Sequence, residues 1–192
     1  GRLIDQIIEK DSSVHVVHRA GKLGIGTAHK DGIRWAYRQN YQNLITMDCD
    51  FSHSPVYIKE FLKLSSDCEV VVGSRYLAQG SLPGWNLYRK SLTYLGHFFT
   101  KFYLNMPYDA TGAFRLYRLD KVPLKIFEQV ESRGYSFFFE SLYILHRNKF
   151  SIKEFPIHLP SRTYGNSKMS LRAAWGSLMQ LMWIYFRVHK GR

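Results

Sequence analysis

Cysteine, acidic side chains and long apolar runs are all scarce in this 192-residue chain, and each shortage excludes a class of protein. The two cysteines, Cys49 and Cys68, are too few for a disulfide framework and do not have the spacing of a zinc site. The longest run without a charged residue, 173–186, is shorter than the ~20 apolar residues that a membrane-spanning helix needs. With 45% apolar residues, the chain is nevertheless able to bury the core of one folded domain.

Acidic residues are outnumbered by basic ones, 15 against 27, which gives a formal charge of +12. This excess indicates an anionic partner, and composition alone leaves nucleic acid, anionic lipid headgroups and phosphorylated substrates as candidates. The first ten residues (GRLIDQIIEK) contain acids where a signal peptide would be apolar. Neither a repeat nor a low-complexity linker divides the chain.

Apolar periodicity predicts an α/β domain in which strands and helices alternate around a largely parallel sheet. Strands are expected at residues 14–17, 43–47, 68–72, 113–117 and 151–158. Helices are expected at residues 3–10, 24–39, from Ser54 onward, 89–104, 122–130, 136–148 and 170–189. We expect residues 1–168 to form this domain and residues 169–192 to form an amphipathic, aromatic-rich helix at a membrane interface.

Two carboxylates, Asp48 and Asp50, follow the predicted buried strand at 43–47. In open α/β sheets the ligand crevice lies at the carboxyl ends of the strands, where such a pair can share a hard divalent ion with substrate phosphates. The same spacing also occurs in solvated turns, and Asp50 would then cap the helix that starts at Pro55. Both interpretations stay open, and a turn or packing role is favoured for His53.

A glycine-rich segment at residues 21–27 (GKLGIGT) leads into the helix that is predicted within residues 24–39. It lacks the Gly-Lys-Ser/Thr ending of a Walker motif and the full spacing of a dinucleotide-binding fingerprint. Its backbone N–H groups could bind a phosphate at the start of the helix, or the segment could be a tight turn. The spacing does not decide between the two.

Side chains that suit phosphate binding gather near predicted strand and helix ends. They are Arg75 after the strand at 68–72, Arg89 and Thr93 on the next helix, and Arg162 and Lys168 in the loop before the last helix. Guanidinium groups at one end of a sheet recognise phosphate through paired N–H donors, although these residues could also belong to a scattered basic surface.

Asp109 lies in the segment DATGAFR, six residues before Arg115. It could be a general base, or it could accept a hydrogen bond from Arg115. Because a single Asp without a motif more often supports the fold, the structural role is favoured.

Aromatic side chains cover more than one face of the last predicted helix, and cations flank it. The aromatic and Met residues are Trp175, Met179, Met182, Trp183, Tyr185 and Phe186, and the flanking residues are Arg172, Arg187, His189, Lys190 and Arg192. Trp and Tyr with flanking cations are typical of a helix at the headgroup level of a membrane. In the earlier aromatic helix, Phe98, Phe99 and Phe102 could simply belong to the core.

Eight segments of the chain match one known family in the family's own order. They are GIGTAHKDGIRWA, MDCDFSHSP, VVGSRY, GWNLYRKSLT, DATGAFRLYR, SRGYSFFFE, EFPIHLPSRTYGNSKM and the aromatic tail. Together they resemble the polyprenyl-phosphate (dolichol-phosphate) mannosyltransferases, which are inverting family-two glycosyltransferases. The resemblance implies a GT-A fold and metal-dependent transfer of a hexose, mannose from GDP-mannose above all, to dolichyl or undecaprenyl monophosphate.

The resemblance also implies roles for individual residues and a cofactor, Mg²⁺ or Mn²⁺. By position these are a metal site of Asp48, Asp50 and Ser52, an acceptor-phosphate site of Arg75, Arg89 and Thr93, a donor-phosphate site of Arg162 and Lys168, and a catalytic pocket of Asp48, Asp50, Asp109 and Arg115. The implied partners are a membrane surface and small membrane-anchor subunits. The implied location is peripheral, on the cytoplasmic face of the endoplasmic reticulum in a eukaryote or of the plasma membrane in a bacterium or archaeon.

Two features depart from the family pattern. The family begins with a nucleotide-binding strand that this chain lacks, so we expect an amino-terminally shortened protein with an exposed sheet edge. Phe138 stands where the family commonly has Gln, so a UDP-linked glucose or aminosugar donor is an alternative. The alternatives of another class are a non-catalytic membrane-binding subunit and a nucleic-acid-binding domain. Nucleic acid is disfavoured because the acidic pair would repel its phosphates without a metal.

Overall fold

The computed structural model of the protein describes residues 2–161 and 171–190. The helices are α1 (Arg2–Ile8), α2 (Ile25–Arg38), α3 (Ile58–Leu64), α4 (Leu87–Leu104), α5 (Leu124–Glu128), α6 (Ser136–Arg147) and α7 (Leu171–Lys190). The strands are β1 (Asn43–Thr46), β2 (Val70–Ser74), β3 (Arg115–Arg118) and β4 (Ile152–Pro156), and a 3₁₀ turn at Pro55–Tyr57 precedes α3. The predicted alternation of strands and helices is confirmed, with element ends shifted by a few residues.

The four strands form one mixed sheet in the order β1-β3-β2-β4. β2 and β4 are parallel, whereas β3 lies between β1 and β2 and is antiparallel to both. Three strands therefore share one direction, as the predicted mostly parallel sheet requires, but two of the three strand pairings are antiparallel. The reason is that β3 enters the sheet from the edge at which β1 and β2 end.

Helices cover both faces of the sheet because the valines of β2 alternate between two apolar clusters. Val70 and Val72 pack with residues of α2, α5 and α6, while Val71 packs with Phe61 of α3. β2 is buried along its whole length, as expected for a strand with neighbours on both sides. α7 packs against α4 and α6 and contributes Leu181 and Ile184 to the larger cluster. The proposed boundary between residues 168 and 169 lies outside the described residues.

The strand predicted at residues 14–17 is wrong, because that segment has no regular secondary structure. A β-branched run forms a strand only when a neighbour accepts and donates its backbone hydrogen bonds, and no strand pairs with this run in the part of the chain that the structure describes. β1 lies at one end of the sheet order, so its side chains are partly exposed rather than buried as predicted.

One edge of the sheet collects four connecting segments. Thr46 at the end of β1 and Val72 near the end of β2 both pair with Arg115 at the start of β3, and Ser74 pairs with Pro156 at the end of β4. Residues 47–54, 75–86, 109–114 and 157–161 therefore extend from the same edge. The carboxyl ends of β1, β2 and β4 lie on this side of the sheet, and open α/β sheets bind their ligands there. We call this side, where the strands end, the ligand edge.

Candidate active site

The acidic loop, residues 48–54, is closed by hydrogen bonds among its own residues. The backbone N–H of Asp48 donates to Nδ1 of His53 at 2.7 Å, and Oδ1 of Asp50 accepts from the backbone N and Oγ of Ser52 at 3.1 and 2.5 Å. The His53 ring is buried against Phe114, with 4.6 Å between ring centroids. His53 therefore has the packing role that was predicted for it.

The oxygen atoms of this loop suit a hard divalent cation. Ser54 rather than Asp50 caps the following helical turn, so the capping role considered for Asp50 is wrong. Asp48 and Asp50 stay partly exposed, and the Asp50 carboxylate lies beside the Ser52 hydroxyl. No group of three or more acidic, His or Cys side chains among the described residues could hold an ion. Mg²⁺ commonly binds one or two carboxylates and takes its remaining ligands from substrate phosphates and water, so this donor set fits the predicted metal.

Arg75 follows β2 and is buried in a bidentate ion pair with Asp109. Its Nε and Nη2 donate to the two carboxylate oxygens at 2.7 and 2.6 Å, and Nη2 also donates to Oγ1 of Thr111 at 2.6 Å. Burial alone would lower the pKa of Arg75, but the charge of Asp109 raises it above its ordinary value. Burial would likewise raise the pKa of Asp109, and the charge of Arg75 instead holds that pKa below its usual range.

Asp109 is held in place by the fold, as the favoured interpretation expected, but its partner differs from the predicted one. The carboxylate of Asp109 accepts hydrogen bonds from the side chain of Arg75 rather than from Arg115. Asp109 is 0% exposed. The backbone N–H of Asp109 donates to Oε1 of Glu154 on β4 at 2.6 Å, and burial raises the pKa of that glutamate. A carboxylate with a lowered pKa and no exposed surface is poorly suited to act as a general base.

Arg115, also 0% exposed, connects β3 to the amino end of α6 and to the segment at residues 109–112. Its Nη1 donates to the carbonyl of Phe138 at 2.7 Å, and its Nη2 donates to the carbonyl of Ala110 at 2.7 Å. Its Nε is buried and has no hydrogen-bond partner within residues 2–161 and 171–190. Arg115 thus lies beneath the ligand edge, and its contact with a sugar stays a prediction.

Arg89 lies at the start of α4 on an aromatic side chain that the sequence analysis did not select. Its guanidinium carbon is 3.5 Å from the centroid of the Trp85 ring, a cation–π distance, and Trp85 is buried. The carbonyl of Thr93, one turn further along α4, accepts from the hydroxyl of Tyr76 at 3.1 Å. Because Tyr76 directly follows Arg75, this bond ties the first turns of α4 to the end of β2.

The two predicted donor-phosphate residues, Arg162 and Lys168, lie outside the described residues. The segment that leads to them packs on the connection before α4. The backbone N–H of Leu159 donates to the carbonyl of Ser81 at 2.7 Å, and that of Ser161 donates to the carbonyl of Pro83 at 3.0 Å. The chain therefore reaches residue 161 at the ligand edge, next to Trp85, which packs in one cluster with Leu159.

The glycine-rich segment is a tight turn that packs on the residues before α6. The backbone N–H of Gly26 donates to the carbonyl of Arg133 at 2.8 Å, and a Cβ at Gly26 would lie 2.8 Å from Cβ of Phe137. Gly24 has a φ of 101°, and a Cβ placed there would clash with the backbone carbonyl of Arg133. With this N–H already bonded and no space beside it, the segment matches the turn interpretation rather than the phosphate-binding one.

Four residues near the predicted sites were assigned no role from the sequence, although all four lie in the segments that match the family. They are His29, Trp85, Thr111 and Glu154. His29 on α2 packs against Phe137 and Phe138, and burial lowers its pKa to about 4, while the charge of Asp48 opposes that change. The motif segments contain these residues, but of the four only Trp85 has a described contact with a predicted site residue, Arg89, that is as close as four positions away in the sequence.

Aromatic side chains of α4 and α7 form an exposed apolar surface, which we call the aromatic face. Phe98 and Phe102 are 57% and 69% exposed, so the core role considered for them is wrong, whereas Phe99 is partly buried. The exposed members on α7 are Trp175, Met179, Trp183 and Phe186. The two helices meet where Tyr103 and Tyr185 pack at 5.2 Å. Over the described residues, no helix has the length and apolarity needed to cross a membrane.

A mixed α/β sheet whose ligand edge carries a carboxylate pair and arginines agrees with the GT-A fold that the resemblance implied. The chain belongs to glycosyl transferase family 2, whose family model matches residues 1–123. It is 33% identical over 171 residues to the undecaprenyl-phosphate mannosyltransferase of Micrococcus luteus, covering 88% of this chain and 70% of that protein. It is 34% identical over 176 residues to the polyprenol monophosphomannose synthase of Mycolicibacterium smegmatis, covering 88% of this chain and 65% of that protein. The predicted family and fold class are confirmed.

Proposed function

We propose that the protein transfers mannose from GDP-mannose to a polyprenyl monophosphate and produces a polyprenyl-phosphate mannose. The names of both relatives support this acceptor and this sugar. The structural observation that carries the proposal is the shared position of the acidic loop and Arg75 at the ligand edge. A donor diphosphate and an acceptor phosphate are both anions, and that edge offers oxygen ligands for a cation beside guanidinium groups.

The proposed reaction needs no dedicated base. A phosphate monoester has a second pKa of about 6, so its oxygen is already largely ionised at neutral pH. That oxygen attacks the anomeric carbon, the new C–O bond forms, and the bond to the diphosphate oxygen breaks with its electron pair leaving on the nucleoside diphosphate. Attack from the face opposite the leaving group inverts the anomeric centre. The low pKa of Asp109 agrees with a mechanism in which this carboxylate does not accept a proton.

The protein's own residues would then bind and orient two anions. We assign Asp48, Asp50 and Ser52 to a Mg²⁺ or Mn²⁺ ion, which when bound would neutralise charge on the donor diphosphate. Arg162 and Lys168 are assigned to the same diphosphate. Arg75, Arg89 and Thr93 are assigned to the acceptor phosphate, where guanidinium N–H groups would hold the attacking oxygen in line with the anomeric carbon.

The aromatic face supports a membrane surface as a further partner. Its exposed aromatic residues lie on the helix that also carries Arg89 and on the neighbouring α7, where Arg187 packs 4.8 Å from the Trp183 ring centroid. Aromatic side chains with nearby cations favour the headgroup region of an anionic bilayer, and the formal charge of +12 adds to that attraction. The aromatic face thus supports a peripheral location at a membrane, and the cytoplasmic face and small anchor subunits are proposed from the family resemblance alone.

A transfer assay tests this function. The complete protein, as its cell synthesises it, is given labelled GDP-mannose or UDP-glucose and a short polyprenyl phosphate, with Mn²⁺ or with a chelator. We expect labelled lipid from GDP-mannose only when the metal is present. A product from UDP-glucose alone would replace the donor assignment, with Phe138 as the residue to examine first. A folded protein that transfers neither sugar would overturn the proposed function.

A further inference from the structure

We propose that Asp109 is a positioning residue that fixes the guanidinium of Arg75 and leaves its Nη1 end to bind the acceptor phosphate. The proposal rests on the function proposed above and adds a residue that acts through another. Its observations are the bidentate pair between Asp109 and Arg75 and the burial of both residues, at 0% and 8% exposure. The same observations explain why a fully buried carboxylate lies at the ligand edge.

The N–H donors of Arg75 fall into two groups: those of Nε and Nη2 are already hydrogen-bonded, and those of Nη1 are available. A guanidinium group has five N–H donors, one on Nε and two on each terminal nitrogen. Nε–H and one N–H of Nη2 donate to Asp109, and the second N–H of Nη2 donates to Thr111. Across the residues that the structure describes, Nη1 forms no hydrogen bond, whereas Nε and Nη2 both do. Nη1 is therefore the nitrogen with donors left for a ligand.

The fold fixes the direction of this end from several sides. The carboxylate of Asp109 also accepts from the backbone N–H of Gly112 at 3.1 Å, and the backbone of Asp109 is bound to Glu154 on β4. The carbonyl of Arg75 accepts from the hydroxyl of Ser81. These bonds fix Asp109 and the backbone of Arg75, so the guanidinium cannot turn away without breaking its own bonds to Asp109 and Thr111.

The ion pair between Arg75 and Asp109 helps to orient a bound phosphate more than it helps to attract one. Asp109 cancels most of the charge of Arg75, so the pair adds little to the long-range pull on an anion. A buried ion pair is also a weak source of stability compared with apolar packing of similar volume. What the pair does supply is a donor in a fixed direction, and such a donor lowers the cost of aligning the attacking phosphate.

The experiment compares three variants of the complete protein. Asp109→Asn keeps the shape, but its amide N–H₂ faces the N–H donors of Arg75, so the guanidinium must turn. Thr111→Val removes one acceptor from Nη2 and disturbs the fold less. Glu140→Gln is the matched control, because Glu140 is a buried carboxylate (4% exposed) that accepts from two backbone N–H groups at residues 131 and 132, away from Arg75. For each variant, kcat, both KM values and the thermal midpoint are measured.

We expect Asp109→Asn to raise KM for a short polyprenyl phosphate about tenfold and to lower kcat, with KM for GDP-mannose within about twofold of wild type. Thr111→Val should shift the acceptor KM in the same direction by about twofold to threefold. Glu140→Gln should lower the thermal midpoint without changing the acceptor KM. In ¹⁵N spectra of the wild type, Nε–H of Arg75 should exchange slowly with water, and Asp109→Asn should abolish that protection.

Failure of the inference can be distinguished from failure of the function. A wild type that transfers mannose, together with an Asp109→Asn variant whose acceptor KM is unchanged, would overturn the positioning role alone. An Nε–H of Arg75 that exchanges as fast as those of exposed arginines would overturn it as well. A wild type that binds neither polyprenyl phosphate nor GDP-mannose would overturn the function on which the inference rests.

Discussion

The two charged sites of the ligand edge are built in opposite ways. In the acidic loop, every hydrogen bond described above joins residues that are at most five positions apart, and Asp48 and Asp50 stay partly exposed. At the end of β2, Arg75 is buried and binds Asp109 and Thr111, which lie 34 and 36 residues further along the chain. The hydrogen bonds described for the first site are local, although its His53 ring packs on Phe114, whereas the ion pair of the second site exists only when the sheet has formed.

This difference predicts which substitutions change turnover alone and which also change the stability of the fold. A local, partly exposed site can lose a charge without disturbing the core, because water replaces the missing interactions. A buried ion pair cannot, since removing one partner leaves an uncompensated charge and costs about 3–5 kcal/mol. We therefore expect substitutions in the acidic loop to affect turnover with little effect on stability, and substitutions around Arg75 to affect both.

The largest effect is expected at the acidic loop. Asp48→Asn and Asp50→Asn each keep the size of the side chain but remove a negative oxygen ligand, so metal-dependent kcat/KM should fall by about 100-fold or more. The free energy of unfolding should change by no more than about 0.5–1 kcal/mol. Steady-state kinetics at saturating Mn²⁺ and denaturant unfolding of the same samples measure the two quantities.

Asp67→Asn is the matched control for these variants. Asp67 is an exposed aspartate that pairs with Lys153 at 3.1 Å, so its loss should alter neither quantity appreciably. Unchanged turnover in both acidic-loop variants would show that the metal assignment is wrong. Unfolding of either variant near room temperature would instead break the contrast between a local site and a fold-dependent one.

Two glycines of α2 offer a second comparison between a position in contact with distant residues and a position without such contacts, measured by the free energy of unfolding. A Cβ at Gly26 would lie 2.8 Å from Cβ of Phe137, so Gly26→Ala should destabilise the protein by about 1–3 kcal/mol. Gly32 has open space around it, so Gly32→Ala should stabilise the same helix by about 0.5–1 kcal/mol. Thermal or denaturant unfolding compares them directly. Equal effects of the two substitutions would mean that the contact between α2 and residues 132–137 is not present.

Features that depend on neighbouring residues could be predicted from the sequence. Apolar periodicity located the helices and β2, and the motif order identified the family, because both are recorded within short segments. The acidic loop was found for the same reason. The alternative in which Asp50 caps the next helical turn was wrong, since Ser54 is the cap, because neighbouring side chains with similar chemistry compete for the same backbone donors.

Features that depend on the sheet order could not be predicted. The partner of Asp109 was sought in Arg115, six residues away, but β3 inserts between β1 and β2 and brings Asp109 to Arg75. The exposure of Phe98 and Phe102 follows from which face of α4 the other helices cover, and one-dimensional periodicity does not contain that information. The strand expected at residues 14–17 failed likewise, since its valines needed a neighbouring strand.

The surroundings of Arg89 are intermediate between those of the acidic loop and those of the buried Arg75. Substitution of Arg89 is expected to have the smallest effect on kinetics. Its guanidinium is partly exposed, and its stacking partner Trp85 is only four residues away. Arg89→Ala should therefore raise KM for polyprenyl phosphate by about threefold to tenfold and leave the free energy of unfolding within about 1 kcal/mol of wild type. Arg89→Lys keeps the charge but not the planar stacking, so its KM should be intermediate.

Arg34→Ala is the control for this last comparison. It removes an exposed arginine, whose acidic neighbour Asp31 is 3.9 Å away on α2, and it should leave both KM values unchanged. If Arg89→Ala mainly raised KM for GDP-mannose, Arg89 would belong to the donor site and the assignment of acceptor arginines would be wrong. If Arg89→Lys equalled wild type, the charge alone would matter, and the Trp85 ring would contribute packing rather than orientation.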